Sequence, residues 1–92
     1  MRKSYLLVYS DSWSRESVKN CLSSIPEVIN WRYDMPNCFY IISEDTATNI
    51  ATSIRRKLGN KRFLITEISP NKQGWLPSDT WYLINNKEKR PK

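Results

Sequence analysis

Two short runs, Tyr5-Leu6-Leu7-Val8-Tyr9 and Cys38-Phe39-Tyr40-Ile41-Ile42, are apolar at every position. A strand with one wet face alternates, so uninterrupted runs of this length and β-rich composition belong to central strands, covered on both sides or on one side plus a partner. Two other segments do alternate. Val28 to Tyr33 places Ile29, Trp31 and Tyr33 on one side and Val28, Asn30 and Arg32 on the other, and Arg62 to Ile68 alternates less cleanly. Both read as edge strands.

Between the strands lie two helical stripes. Ser14 is a candidate N-cap, and Val18, Cys21, Leu22 and Ile25 follow at i, i+3, i+4 and i+7 before Pro26 stops the helix. Asp45 is expected to cap a second helix with the stripe Ala47, Ile50, Ala51, Ile54 and Leu58. Arg55, Arg56 and Lys57 fill its last turn, where the helix dipole favours cations, and Gly59 stands at the stop. Asp34-Met35-Pro36-Asn37 and Pro70 to Gly74 read as turns. Pro77-Ser78-Asp79 opens a last short helix carrying Trp81, Leu83 and Ile84.

The order β-α-β-β-α-β, with continuous strands first and third, predicts an α+β ferredoxin-like domain. Its antiparallel sheet has the order 4-1-3-2, with two helices on one face and a short C-terminal helix. At 92 residues the chain has room for one modest core. Residues 1–86 read as the domain and 87–92 as a basic, flexible tail. The longest apolar run is far too short for a membrane span, so a cytoplasmic protein with no membrane contact is expected.

Histidine is absent. That removes Ser-His-Asp and Cys-His catalysis and every histidine metal site. Ser10, Ser12 and Ser14 have no base to activate them. Cys21 and Cys38 have no CxxC spacing and read as reduced, buried thiols. Asp11 is the one acid at the end of a central strand and is the weak catalytic candidate, although aspartate in a serine-rich turn is ordinarily a cap or turn former. Asp34 lies near a loop, and Glu44 and Asp45 look committed to the second helix. No cofactor and no resident metal are expected.

Charge supplies the binding candidates. Fifteen Lys+Arg against nine Asp+Glu give +6, half of it from residues 87–92. Arg55, Arg56, Lys57, Lys61 and Arg62 crowd the end of the second helix and the following turn, while Lys87, Lys89 and Arg90 lie in the tail. Such clusters attract phosphate backbones or acidic proteins. The antiparallel arrangement puts Arg2 and Lys3 at the opposite end of the fourth strand, giving two separate basic patches.

A sheet covered by helices on one side leaves the other for something else. If Leu6 and Val8 meet the helices, Tyr5 and Tyr9 look outward, with Trp31 and Tyr33 as candidates to join them on an open face. A second copy could stack there as a homodimer, the segment from Trp75 to Ile84 could fold back over it, or single-stranded nucleic acid could stack base on ring. RNA-recognition modules share the topology. Asn37-Cys38-Phe39-Tyr40-Ile41-Ile42 has the aromatics of their signature but neither its glycine nor its leading basic residue.

Trp31-Arg32-Tyr33-Asp34, Cys38-Phe39-Tyr40-Ile41-Ile42 and Gly74-Trp75-Leu76-Pro77 followed by Trp81 resemble the small bacterial SinR-like proteins. Those in turn look like the ferredoxin-like CRISPR integration-complex nucleases and the VapD ribonucleases. The resemblance covers nearly the whole chain through hydrophobic pattern and a few tryptophans. It implies the same fold and, through the nuclease relatives, a divalent-metal aspartate directly after a first-strand tyrosine, one per subunit of a dimer. Here Ser10 follows Tyr9 and the aspartate is Asp11, one place late, a slip that turns a side chain to the opposite face.

The leading expectation is a non-enzymatic, basic binding module contacting nucleic acid or a nucleoprotein complex. The alternatives are a phage-encoded inhibitor of a host nucleoprotein machine, anti-CRISPR-like and acting by protein binding, and a magnesium-dependent ribonuclease of the VapD type using Asp11.

Overall fold

The computed structural model describes residues 1–91. Its elements are β1 (Lys3–Tyr9), α1 (Arg15–Ser24), β2 (Asn30–Arg32), β3 (Cys38–Ser43), α2 (Ala47–Leu58), β4 (Phe63–Glu67) and α3 (Ser78–Asn86). The four strands form one sheet in the order β2-β3-β1-β4, every neighbour antiparallel. This is the ferredoxin-like arrangement, with both continuous runs at the centre.

Local signals set the element ends. The Ser14 side chain accepts the Ser17 N–H at the start of α1, and the helix stops at Ile25, one residue before Pro26. At α2 the cap is Thr46, whose side chain accepts the Asn49 N–H, rather than Asp45. Asp45 sits one place earlier, where its carboxylate accepts both the Thr46 N–H and the Asn49 side-chain amide. A β-branched hydroxyl in extended backbone satisfies the orphan amide, and the carboxylate reinforces it from outside. Gly59 closes α2 with φ +89°, a conformation that disfavours a side chain although nothing crowds the position. β2 is shorter than its alternating pattern, because only Asn30, Trp31 and Arg32 pair with β3.

The register defines two faces. Tyr5, Leu7 and Tyr9 of β1 share one with Trp31, Phe39, Ile41, Phe63 and Ile65, and this face receives α1 through Val18, Cys21 and Leu22 and α2 through Ile50 and Ile54. The assignment of Tyr5, Tyr9, Trp31 and Tyr33 to an open sheet face is therefore inverted. Tyr5 and Tyr9 are buried beneath the helices, and Trp31 and Tyr33 stack on each other, half-buried, against Phe39. Two helices need the parity that is apolar along the middle of the sheet, and polar Lys3, Ser43 and Glu67 stand on it only at strand ends. The opposite parity carries Asn30 and Arg32 in β2 and Thr66 in β4. Aromatic length also suits this layer: the Tyr5 hydroxyl reaches the Asp45 carbonyl at 2.5 Å, and the Trp13 indole N–H reaches the Leu58 carbonyl at 3.2 Å.

The opposite face is partly covered by the chain itself. α3 lays Leu83 and Ile84 on Cys38, Tyr40 and Ile42, with Leu6, Ile68, Leu76 and Trp81 around them. A polar network fixes its position. Arg32 Nε donates to Thr80 Oγ1 at 2.7 Å, Thr80 donates to Asp34 Oδ2 at 2.5 Å, and the Tyr40 hydroxyl donates to Asp34 Oδ1 at 3.2 Å. The Ser4 hydroxyl donates to the Ile84 carbonyl at 2.7 Å. Beyond α3 the cross-strand partners Val8 and Leu64 stay exposed, at 43% and 62%.

The basic end read as a flexible tail is held to this layer. Lys87 closes α3 in the left-handed conformation, Arg2 donates to its carbonyl at 3.0 Å, and Arg90 pairs with Asp79 at 3.3 Å. Lys92, the last residue of the predicted tail, lies outside the described residues. Among those described, no helix is long and apolar enough to cross a membrane.

Candidate functional site

β4 is an edge strand, and α2 runs beside it. The core side of α2 is taken by Ile50, Ser53 and Ile54. One position round the helix stand Ala47, Thr48 and Ala51, whose small side chains leave a groove of about 970 Å³ open between helix and strand. Its apolar wall includes Phe63, Leu64 and Ile65. Ala51, read from sequence as a core position, lines this groove and is only half-buried.

Cations gather at one end. Arg55 projects from the last turn of α2, and the turn from Gly59 brings Lys61 and Arg62 back beside it. The Ser10 N–H donates to the Arg62 carbonyl at 3.1 Å, carrying the β1–β4 ladder one step past the strand and setting Ser10 and Ser12 at the same end. The Arg55 guanidinium carbon lies 6.0 Å from the Phe63 ring centre. No carboxylate lines the groove. The one ion pair among the described residues is Arg90–Asp79, so Arg55, Lys61 and Arg62 have no acidic partner there.

The predicted basic residues thus fall into three places. Arg55, Lys61 and Arg62 come together in the groove. Arg56 and Lys57 are exposed on α2 outside its lining. Lys87 closes α3, while Lys89 and Arg90 border a separate cleft of about 340 Å³ with Trp31, Arg32, Tyr33 and Asp79. There Arg90 lies 5.2 Å from the Tyr82 ring centre and is neutralised by Asp79, so this patch is less cationic than its composition. As the antiparallel order requires, Arg2 lies with Lys87, and Ile68 at the far end of β4 donates to the Ser4 carbonyl.

Asp11 is exposed in the turn after β1, and its carboxylate accepts the Asn37 side-chain amide at 2.7 Å. It ties two loops together. Among the described residues no three Asp, Glu or Cys side chains converge on a point that could hold a metal. Cys21 and Cys38 are free and buried in the clusters on opposite faces of the sheet, and burial is the main cause raising both thiol pKa values.

No protein-family model matches this chain, and no curated protein or solved structure matches it.

Reading charge from sequence located the cations but missed the groove. Its signal was the pair Ala47 and Ala51, small residues a turn apart on the flank of a helix whose other apolar positions are isoleucine and leucine.

Proposed function

We propose that this protein is a non-enzymatic binding module that contacts an anionic partner, nucleic acid or a nucleoprotein complex, through the α2–β4 groove. One observation carries the reading: Arg55, Lys61 and Arg62 converge on a groove whose lining contains no carboxylate. Unpaired cations concentrated at one end of an open groove attract polyanions and orient them.

A second reading, an inhibitor that binds the protein part of a nucleoprotein machine in the manner of an anti-CRISPR, draws support from the buried aromatic face. Nucleic-acid binders without sequence preference stack bases on exposed rings, and here Tyr5, Tyr9 and Phe39 lie beneath helices.

The test is binding of a labelled twelve-nucleotide single-stranded RNA and of polyglutamate between 50 and 300 mM salt. Wild type is compared with the double variant Arg55→Ser/Arg62→Ser. The expected result is binding of at least one polyanion. For the RNA, losing two phosphate contacts lowers the salt slope by about 1.4. Binding of neither, or unchanged affinity and slope in the variant, would overturn the proposal.

A further inference from the structure

The outer edge of β4 borders the cationic groove. In an antiparallel ladder the backbone groups of successive residues point alternately toward and away from the partner. The bonds Ser10 N–H to Arg62 and Ile68 N–H to Ser4 bracket the β1–β4 pairing, so Arg62, Leu64, Thr66 and Ile68 turn their backbone groups toward β1. Phe63, Ile65 and Glu67 turn theirs away, along an edge that no other strand occupies. That edge is about 17 Å long for its five residues. Above it stand Ala47, Thr48 and Ala51, with Arg55, Lys61 and Arg62 at the Phe63 end.

We infer that the β4 edge is a strand acceptor, and that its ligand is an extended protein segment with apolar side chains opposite Phe63 and Ile65 and a carboxylate opposite Arg62. The inference rests on the groove reading and names the partner class. A phosphate backbone would satisfy the cations alone. It would leave the Phe63–Ile65 wall and the free backbone groups unmatched, whereas an acidic, apolar strand meets all three. The small residues of α2 leave room for the added strand's side chains, and main-chain bonds fix its register.

The probe is a labelled, end-blocked eight-residue peptide of alternating glutamate and valine. Two further versions carry backbone N-methyl groups on all the valines or on all the glutamates. An added strand gives β4 the N–H groups of only one parity. One methylated version should therefore bind at least tenfold more weakly, and the other about as well as the parent. Arg55→Ser/Arg62→Ser should weaken the parent by a similar factor. Amide exchange should slow at Phe63, Ile65 and Glu67 on binding and stay unchanged at Leu64 and Thr66.

Equal effects of the two methylation patterns would overturn strand addition while leaving the groove as an anion site. Binding of octauridylate with none of the parent peptide would do the same. Binding of neither probe would remove both readings. Slow exchange at Phe63, Ile65 and Glu67 in the free protein, together with sedimentation as a dimer, would give the edge to a second copy and overturn the inference.

Discussion

Replacing Thr80 by valine tests what holds α3 on the sheet. Thr80 is fully buried, and its hydroxyl accepts from Arg32 Nε and donates to Asp34 Oδ2, linking the helix to the end of β2 and to the loop that follows it. Valine has the same shape without the hydroxyl, so packing is kept while both bonds are lost. Hydrogen bonds to charged groups are worth about 1.5–3 kcal/mol each. Arg32 and Asp34 are half-exposed and recover part of that from water, and Asp34 keeps its bond from Tyr40. The net cost should be about 2 kcal/mol, or a fall in Tm of about 8–16 °C for a domain of this size. Thr80→Ser keeps the hydroxyl and loses one methyl, at about 0.8 kcal/mol. Urea and thermal unfolding followed by circular dichroism read both variants. A Thr80→Val protein within about 0.5 kcal/mol of wild type, or a serine variant as damaged as the valine one, would refute the reasoning.

Three further outcomes follow from the two faces of the sheet. Tyr5→Phe should destabilise by about 1 kcal/mol through loss of its bond to Asp45, whereas Tyr9→Phe should be neutral or stabilising. The Tyr9 hydroxyl is buried without a hydrogen-bond partner; burial raises its pKa, and the nearby Arg15 guanidinium partly opposes that rise. Equal urea midpoints for the two variants would contradict the assignment of a partner to the Tyr5 hydroxyl and of none to the Tyr9 hydroxyl. Burial first, then the charges of Cys38 and Asp34, push the Tyr40 pKa well above its ordinary value. Its contribution to stability is therefore complete below pH about 10 and lost as pH rises toward the folded-state pKa. Urea midpoints between pH 8 and 11 should fall in wild type and fall less in Tyr40→Phe. Leu83→Ala should cost about 2–4 kcal/mol by opening a cavity over Tyr40 and Ile42, and a cost below 1 kcal/mol in urea unfolding would mean that α3 does not pack there.

Strand order and helix positions were legible because each has a local cause. Tyr5–Tyr9 and Cys38–Ile42 are continuous because they are central, Ser14 is a cap by its hydroxyl, and Gly59 stops α2 by its positive φ. The face taken by the helices was misread from β1 alone, where both parities are apolar. Asn30 and Arg32 in β2 carry the answer, since two helices cannot rest on the parity that those residues occupy, whereas β4 has Thr66 on one parity and Glu67 on the other. The Asp45 assignment slipped by one residue because Asp45 and Thr46 are both good caps, and only backbone geometry distinguishes them. The groove was missed for a different reason: its one local sign, the small pair Ala47 and Ala51, opens a gap only because α2 flanks an edge strand, which no periodicity encodes.

The most direct test of the account is a map of backbone amide shifts in the labelled protein as polyglutamate or the twelve-nucleotide RNA is added. Shifts should concentrate at Ser10, Ser12, Thr48, Ala51, Arg55 and the stretch from Asn60 to Ile65, the residues that line the groove. Shifts confined to Arg2 and the Lys87–Arg90 end would place the anion on the other basic patch and contradict the central claim.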